Sequence, residues 1–271
     1  MYRQFFGLKE KPFNITSDPN FLYLSRVHKE AFAHLIYGIK ERKGFLEITG
    51  EIGAGKTTLC RALLNHLDAN TKSAFIFNST LPEMQLFQTI LEDFGVCVGR
   101  RTKSSMLRLF NNFLLEELSK NNNVVLIIDE AQNLKPQVLE ELRLLSNLET
   151  EKEKLFQMIL VGQPELRDKL KSPNLKQLRQ RIGVRFHLTP LSSCEIGEYI
   201  YHRLKVAGSN GDISFSEDSL DVIYKYSGGI PRLINTVCDK ALLSAYVAET
   251  KYIDSAIIDK CTKEIDGLVL A

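Results

Sequence analysis

The chain has 271 residues, 44% hydrophobic and 25% charged, which is the balance of an ordinary globular protein with one large or two modest cores. Thirty-five Lys and Arg against 33 Asp and Glu leave a net charge of +2, which neither demands nor excludes a nucleic-acid partner. The five cysteines (Cys60, Cys97, Cys194, Cys238, Cys261) are odd in number and lack C-x-x-C spacing, against a disulfide framework or zinc site and in favour of a reducing compartment. The N-terminus has no signal-like apolar run, and the most apolar stretch, 124–128, is too short to cross a bilayer.

In chain order, residues 45–49 read as a short strand that ends in a glycine-rich loop and then a helix over 57–67. A second strand is expected at 74–78, followed by helices near 83–94 and 104–119. A polar Asn turn precedes 124–129, a β-branched run typical of a strand buried on both faces. Pro136 opens a helix to about 148, residues 156–162 give a fourth strand, and short helices over 165–181 lead to a fifth at 184–188. Strands alternating with helices imply a parallel sheet with right-handed crossovers. From Ser193 to Gly267 only helices are expected. The boundary is placed at 191, giving a nucleotide-binding α/β domain over 1–191, N-terminal linker included, and a small all-helical lid over 192–271.

Gly50-Glu51-Ile52-Gly53-Ala54-Gly55-Lys56-Thr57 matches G-x-x-x-x-G-K-[ST] in full. Backbone N–H groups must turn inward around phosphates, which asks for glycine's freedom at Gly50, Gly53 and Gly55. Lys56 brings a point charge to the β- and γ-phosphates, Thr57 offers a hydroxyl to Mg²⁺, and the helix N-terminus adds partial positive charge. The candidate nucleotide contacts are Gly50, Gly53, Ala54, Gly55, Lys56, Thr57 and Thr58, with ATP and Mg²⁺ as the implied ligands.

The apolar strand 124–128 runs into Asp129-Glu130. Beside a phosphate loop, Asp129 would hold the Mg²⁺ shell and Glu130 would polarise water, and the pair argues for hydrolysis over storage. Asn78 ends the second strand and either restrains Glu130 until a partner binds or is simply a turn residue before Ser79-Thr80. Gln163 ends the fourth strand, where its amide either reaches the γ-phosphate or opens a turn before Pro164. Arg179, Arg181 and Arg232 suit spread phosphoryl charge, though each also reads as a surface ion-pair residue.

These motifs resemble the AAA+ domain of the general secretion pathway protein A (ExeA) family, which includes the ATPase of mannose-sensitive haemagglutinin pilus biogenesis. The resemblance runs from Tyr2, Phe6-Gly7-Leu8, Pro12-Phe13 and Asp18-Pro19 through the phosphate loop. It continues through Asp129-Glu130-Ala131-Gln132-Asn133-Leu134, Leu142 to Glu149, Gly162 to Leu166, and Gly229 to Asn235. It implies Gln163 as first sensor, Arg232 as second sensor reaching from the lid, and Arg181 as a finger inserted into a neighbour's site. Longer relatives carry a membrane span and a peptidoglycan-binding segment after this domain, so the chain's end at Ala271 favours the short, pilus-type relatives.

The resemblance thus implies an ATP-driven assembly factor for an envelope machine: type II secretion, a pilus or polysaccharide export. Such a factor would be cytoplasmic, recruited to the inner membrane by a partner, and a head-to-tail homo-oligomer. The alternative is a DNA-binding switch similar to transposition regulators, with Arg100, Arg101, Lys103 and Arg108 as phosphate contacts. A nucleotide-gated scaffold without turnover is the third reading.

Overall fold

The computed structural model describes residues 2–77, 79–99, 102–146, 148 and 154–267. Asn78, Arg100, Arg101, Asn147 and Glu149 therefore lie outside the described residues. The elements in chain order are α1 (Tyr2–Phe5), α2 (Arg26–Lys40), β1 (Phe45–Gly50), α3 (Lys56–His66), β2 (Thr71–Ile76) and α4 (Glu83–Asp93). Next come α5 (Lys103–Ser119), β3 (Asn123–Ile128), α6 (Pro136–Leu145), β4 (Gln157–Gly162), α7 (Pro164–Leu170), α8 (Lys176–Arg181) and β5 (Ile182–Leu188). The chain closes with α9 (Ser193–Val206), β6 (Ser214–Phe215), α10 (Glu217–Ser227), α11 (Pro231–Val247), β7 (Tyr252–Ile253) and α12 (Ser255–Ile265). Two compact units result: Glu30–Gly50 with Leu59–Leu188, and Met1–Lys29 with Glu51–Thr58 and Thr189–Ala271.

The first unit is a five-stranded parallel sheet in the order β2-β3-β4-β1-β5, flanked by helices. Strand β3 lies between β2 and β4, and Val124 to Ile128 are wholly buried, which is why that run is continuously apolar and not alternating. Leu126, Ile128, Met158 and Leu160 on the strands pack with Leu86, Ile90, Phe110 and Leu139 from the helices. Each such side chain contributes about 1.5–3 kcal/mol on burial. Strand β2 starts three residues before the expected 74. As an edge strand it pairs with β3 from Thr71↔Asn123 onward while Lys72 and Ser73 stay exposed, so pairing and not hydrophobicity sets its length. Helix α2, for which the sequence reading carries no expectation, buries Ala31, Leu35 and Ile39 at four-residue spacing.

The second unit is helical, with one correction: β6 and β7 form a two-residue parallel pair, Ser214↔Tyr252 and Phe215↔Ile253, where only helix was expected. Helix α9 opens with a capping box in which Ser192 and Glu195 satisfy each other's backbone N–H groups. Its Arg203 is buried, donating from Nε to the Pro12 carbonyl at 2.6 Å and from Nη2 to that of Asn14 at 3.1 Å, with Phe21 beneath the guanidinium at 4.9 Å. Tyr2 donates to Asp239 of α11 at 2.5 Å. The N-terminal segment is thereby built into the same core as α9–α12. Among the described residues, no helix is long and apolar enough to cross a membrane.

Candidate nucleotide site

Because the strands are parallel and β4 is flanked by β3 and β1, the C-terminal ends of all three share one edge of the sheet. Asp129 follows β3 there, 3% exposed, its backbone N–H held by the Ile76 carbonyl at 2.9 Å. Glu130 adopts a left-handed backbone, φ 52 and ψ 37, a conformation that costs a non-glycine residue about 1–3 kcal/mol and tends to mark functional positions. Its N–H binds Asp129 Oδ1 at 2.9 Å, and its carbonyl accepts from Ser79 Oγ at 2.7 Å and from the Asn133 N–H at 2.9 Å. Gln163, immediately after β4, donates from Nε2 to Glu130 Oε2 at 3.1 Å. Gln132 donates to the same oxygen and accepts the Gln163 backbone N–H at 3.1 Å. Sequence reasoning quoted Gln132 within a motif but gave it no role, since its contacts join the ends of two different strands.

The phosphate loop follows β1 in the chain and belongs to the other unit. Gly53 and Gly55 have φ of 82 and 93. A Cβ on Gly53 would stand 2.5 Å from Cβ of Arg232, whose backbone N–H donates to the Gly53 carbonyl at 3.3 Å. The first turn of α11 therefore rests against the loop. Lys56 is 6% exposed and its Nζ donates to the Glu51 carbonyl at 2.9 Å, folding an ammonium back across the loop. Thr57 and Thr58 lie half-buried in the first turn of α3. His28 was not anticipated: its Nε2 donates to the Ala54 carbonyl at 3.0 Å and its Nδ1 accepts from Ser25 Oγ at 2.7 Å. A contact across 26 residues leaves no local signal that could have singled it out.

Arg181 closes α8, with its Nη1 donating to Ser146 Oγ at 2.9 Å. It precedes Ile182, which registers with Phe45 at the start of β1, whereas Gly50 at the end of β1 registers with Leu188. At about 3.3 Å per residue, Arg181 stands roughly 20 Å along the sheet from the edge where β1 ends. The Arg179 carbonyl accepts from Arg185. Lys103 is held by Glu83 at 2.9 Å and Glu141 at 2.6 Å, so of the four basic residues considered for DNA it is already paired, and Arg108 is exposed. The expectations for Asn78, Arg100 and Arg101 fall outside the described residues.

A five-stranded parallel sheet with a phosphate loop after β1 and a helical second unit is the AAA architecture, and an AAA domain family model matches residues 39–170. Over 97% of this chain and 75% of the other, the fold superposes on the Aeropyrum pernix ORC2 protein (TM-score 0.70, 17% identity). It also superposes on Cdc6p from Pyrobaculum aerophilum (TM-score 0.70, 20% identity, 91% of this chain and 70% of that one). The Thermotoga maritima RuvB Holliday junction branch migration motor gives a TM-score of 0.56 at 18% identity, over 89% and 69%. Residues 39–170 thus match an AAA domain, and the chain as a whole is similar to general secretion pathway protein A. It is 44% identical to that protein of Aeromonas hydrophila over 269 residues, 99% of this chain. It spans about half, 49%, of that relative's length.

Proposed function

We propose that the chain binds ATP with Mg²⁺ and hydrolyses it to drive assembly of a bacterial envelope machine: a secretion apparatus, a pilus of the mannose-sensitive haemagglutinin type, or a polysaccharide exporter. The observation that carries hydrolysis is the joining of Glu130 to Gln163 at 3.1 Å, at the ends of neighbouring strands and next to the strand that leads into the phosphate loop. The residues fit the ligand. Positive φ at Gly53 and Gly55 turns the loop backbone, and a nearly buried ammonium bent over that loop meets a carbonyl where a phosphate is the stronger acceptor.

In this reading the loop N–H groups and the N-terminus of α3 cradle the phosphates, and Lys56 neutralises the β- and γ-oxygens. Thr57 and Asp129 would hold Mg²⁺, which would supply positive charge to offset that of the phosphates. Glu130 takes a proton from the water that attacks the γ-phosphorus as the bridging P–O bond breaks and ADP leaves. Gln163 orients that water or the γ-phosphate, and Arg232 contributes from the lid. The nucleotide-binding domain then ends near residue 191 and 192–271 act as its lid, with the N-terminal segment packed into the core of the helices α9–α12. Arg181, about 20 Å from its own strand ends, acts on the next subunit of a head-to-tail oligomer working at the cytoplasmic face of the inner membrane.

Nucleotide titration beside phosphate release tests the reading. Lys56→Ala should lose ATP affinity while the protein stays folded, with only a modest shift in melting temperature from the lost bond to the Glu51 carbonyl. Glu130→Gln should keep affinity and lose turnover. A Lys56→Ala protein that binds ATP normally would remove the loop from the site.

A further inference from the structure

We propose that Gln132 is a positioning residue for hydrolysis, one amide that ties Glu130 to Gln163 and leaves a single oxygen of the carboxylate open to water. The proposal rests on the reading of Glu130 as the group that accepts the water's proton. Gln132 sits in the short 3-10 turn Ala131–Asn133 that follows Glu130. Its Oε1 faces the backbone N–H of Gln163 at 3.1 Å, and an N–H demands an acceptor there, so the other end of the amide is the NH₂ group. That NH₂ donates to Glu130 Oε2, which also takes the Gln163 side-chain amide at 3.1 Å. Both donors engage Oε2, and among the described residues none engages Oε1. The carboxylate is thus held in orientation through Oε2, and Oε1 is the proposed proton acceptor.

Two further features hold Gln132 in this place. Lys169 of α7 donates from Nζ to the carbonyl of Gln132 and, at 2.8 Å, to that of Leu134, tying the turn to the helix that Gln163 opens. At the end of β4, a Cβ on Gly162 would lie 2.8 Å from Gln132 Oε1, so the missing side chain makes room for the bridging amide. An amide that touches both groups transmits any movement of Gln163 towards a γ-phosphate to the carboxylate of Glu130.

The test uses the full chain, with Gln132→Met, which keeps length and volume but neither donates nor accepts as an amide, and Gln132→Glu, which keeps shape but places an acceptor against Glu130. Both should bind ATP within a few-fold of wild type. The Met variant should lose about 10- to 100-fold in kcat with KM little changed, as expected when a reacting group is displaced by a fraction of an ångström to 1 Å. The Glu variant should lose more. In a double-mutant cycle, Gln163→Ala should cost much less in the Gln132→Met background than in wild type, because both act on one oxygen. Wild-type kcat in Gln132→Met while Glu130→Gln is inactive would overturn the proposal alone. Turnover in Glu130→Gln equal to wild type would overturn the underlying reading as well. Additive losses, or variants with a lowered melting temperature and an unchanged kcat, would assign Gln132 to stability and overturn the proposal.

Discussion

His28 is 3% exposed, and a carbonyl can only accept, so its Nε2 carries the proton given to Ala54 while Nδ1 accepts from Ser25. The neutral ring is the form that holds the loop. Burial pushes its pKa below the ordinary 6.5, more than the Ala54 carbonyl and the charge of Glu195 push it back. The unfolded chain then binds the proton more readily than the folded one. The stabilisation is complete above pH 6.5 and is lost as pH falls below it. His202, also lowered by burial, acts in the same direction. Melting temperature should therefore drop between pH 7 and 5.5, and His28→Gln should be less sensitive to acid across that range. Equal pH slopes for the two proteins would remove His28 from the account. None of this was legible beforehand: the phosphate loop is a contiguous pattern, but its support comes from a helix that precedes it by a whole strand.

At the scale of elements, legibility followed the length of the periodic signal. The run 124–128 was read correctly because a strand buried on both faces writes its environment into every residue. Strand β2 was displaced because only two of its six residues, Ala74 and Ile76, are buried, and β6 and β7 were missed because two residues have no period. The buried polar part of the attachment of the N-terminal segment to α9 includes Arg203 and the carbonyls of Pro12 and Asn14, which carry no sequence signature. Arg203→Met would keep the apolar stem and leave those acceptors without their guanidinium, at a cost of about 2–4 kcal/mol. A lower denaturant midpoint and faster tryptic cleavage at Lys9 are expected. An unchanged midpoint would mean that the segment is held by its other contacts, without need of the guanidinium.

For the whole molecule, the central claim is that a catalytic site is complete only when a second copy is present. Arg181 stands at the sheet edge opposite to Asp129 and Glu130, held by Ser146 at 2.9 Å through Nη1. The Arg181 side chain is half-buried. An arginine supplied from a neighbour is worth about a thousandfold or more in rate, because it meets charge that develops only in the transition state. The direct measurement is phosphate release over a range of protein concentrations, for wild type, for Arg181→Ala, for Glu130→Gln and for a mixture of the two variants. Specific activity of the wild type should rise with concentration. Each variant alone should be nearly inactive while binding ATP normally. The mixture should recover activity, because an intact Glu130 in the Arg181→Ala subunit meets an intact Arg181 from its neighbour. Specific activity independent of concentration, with no recovery on mixing, would contradict the shared site.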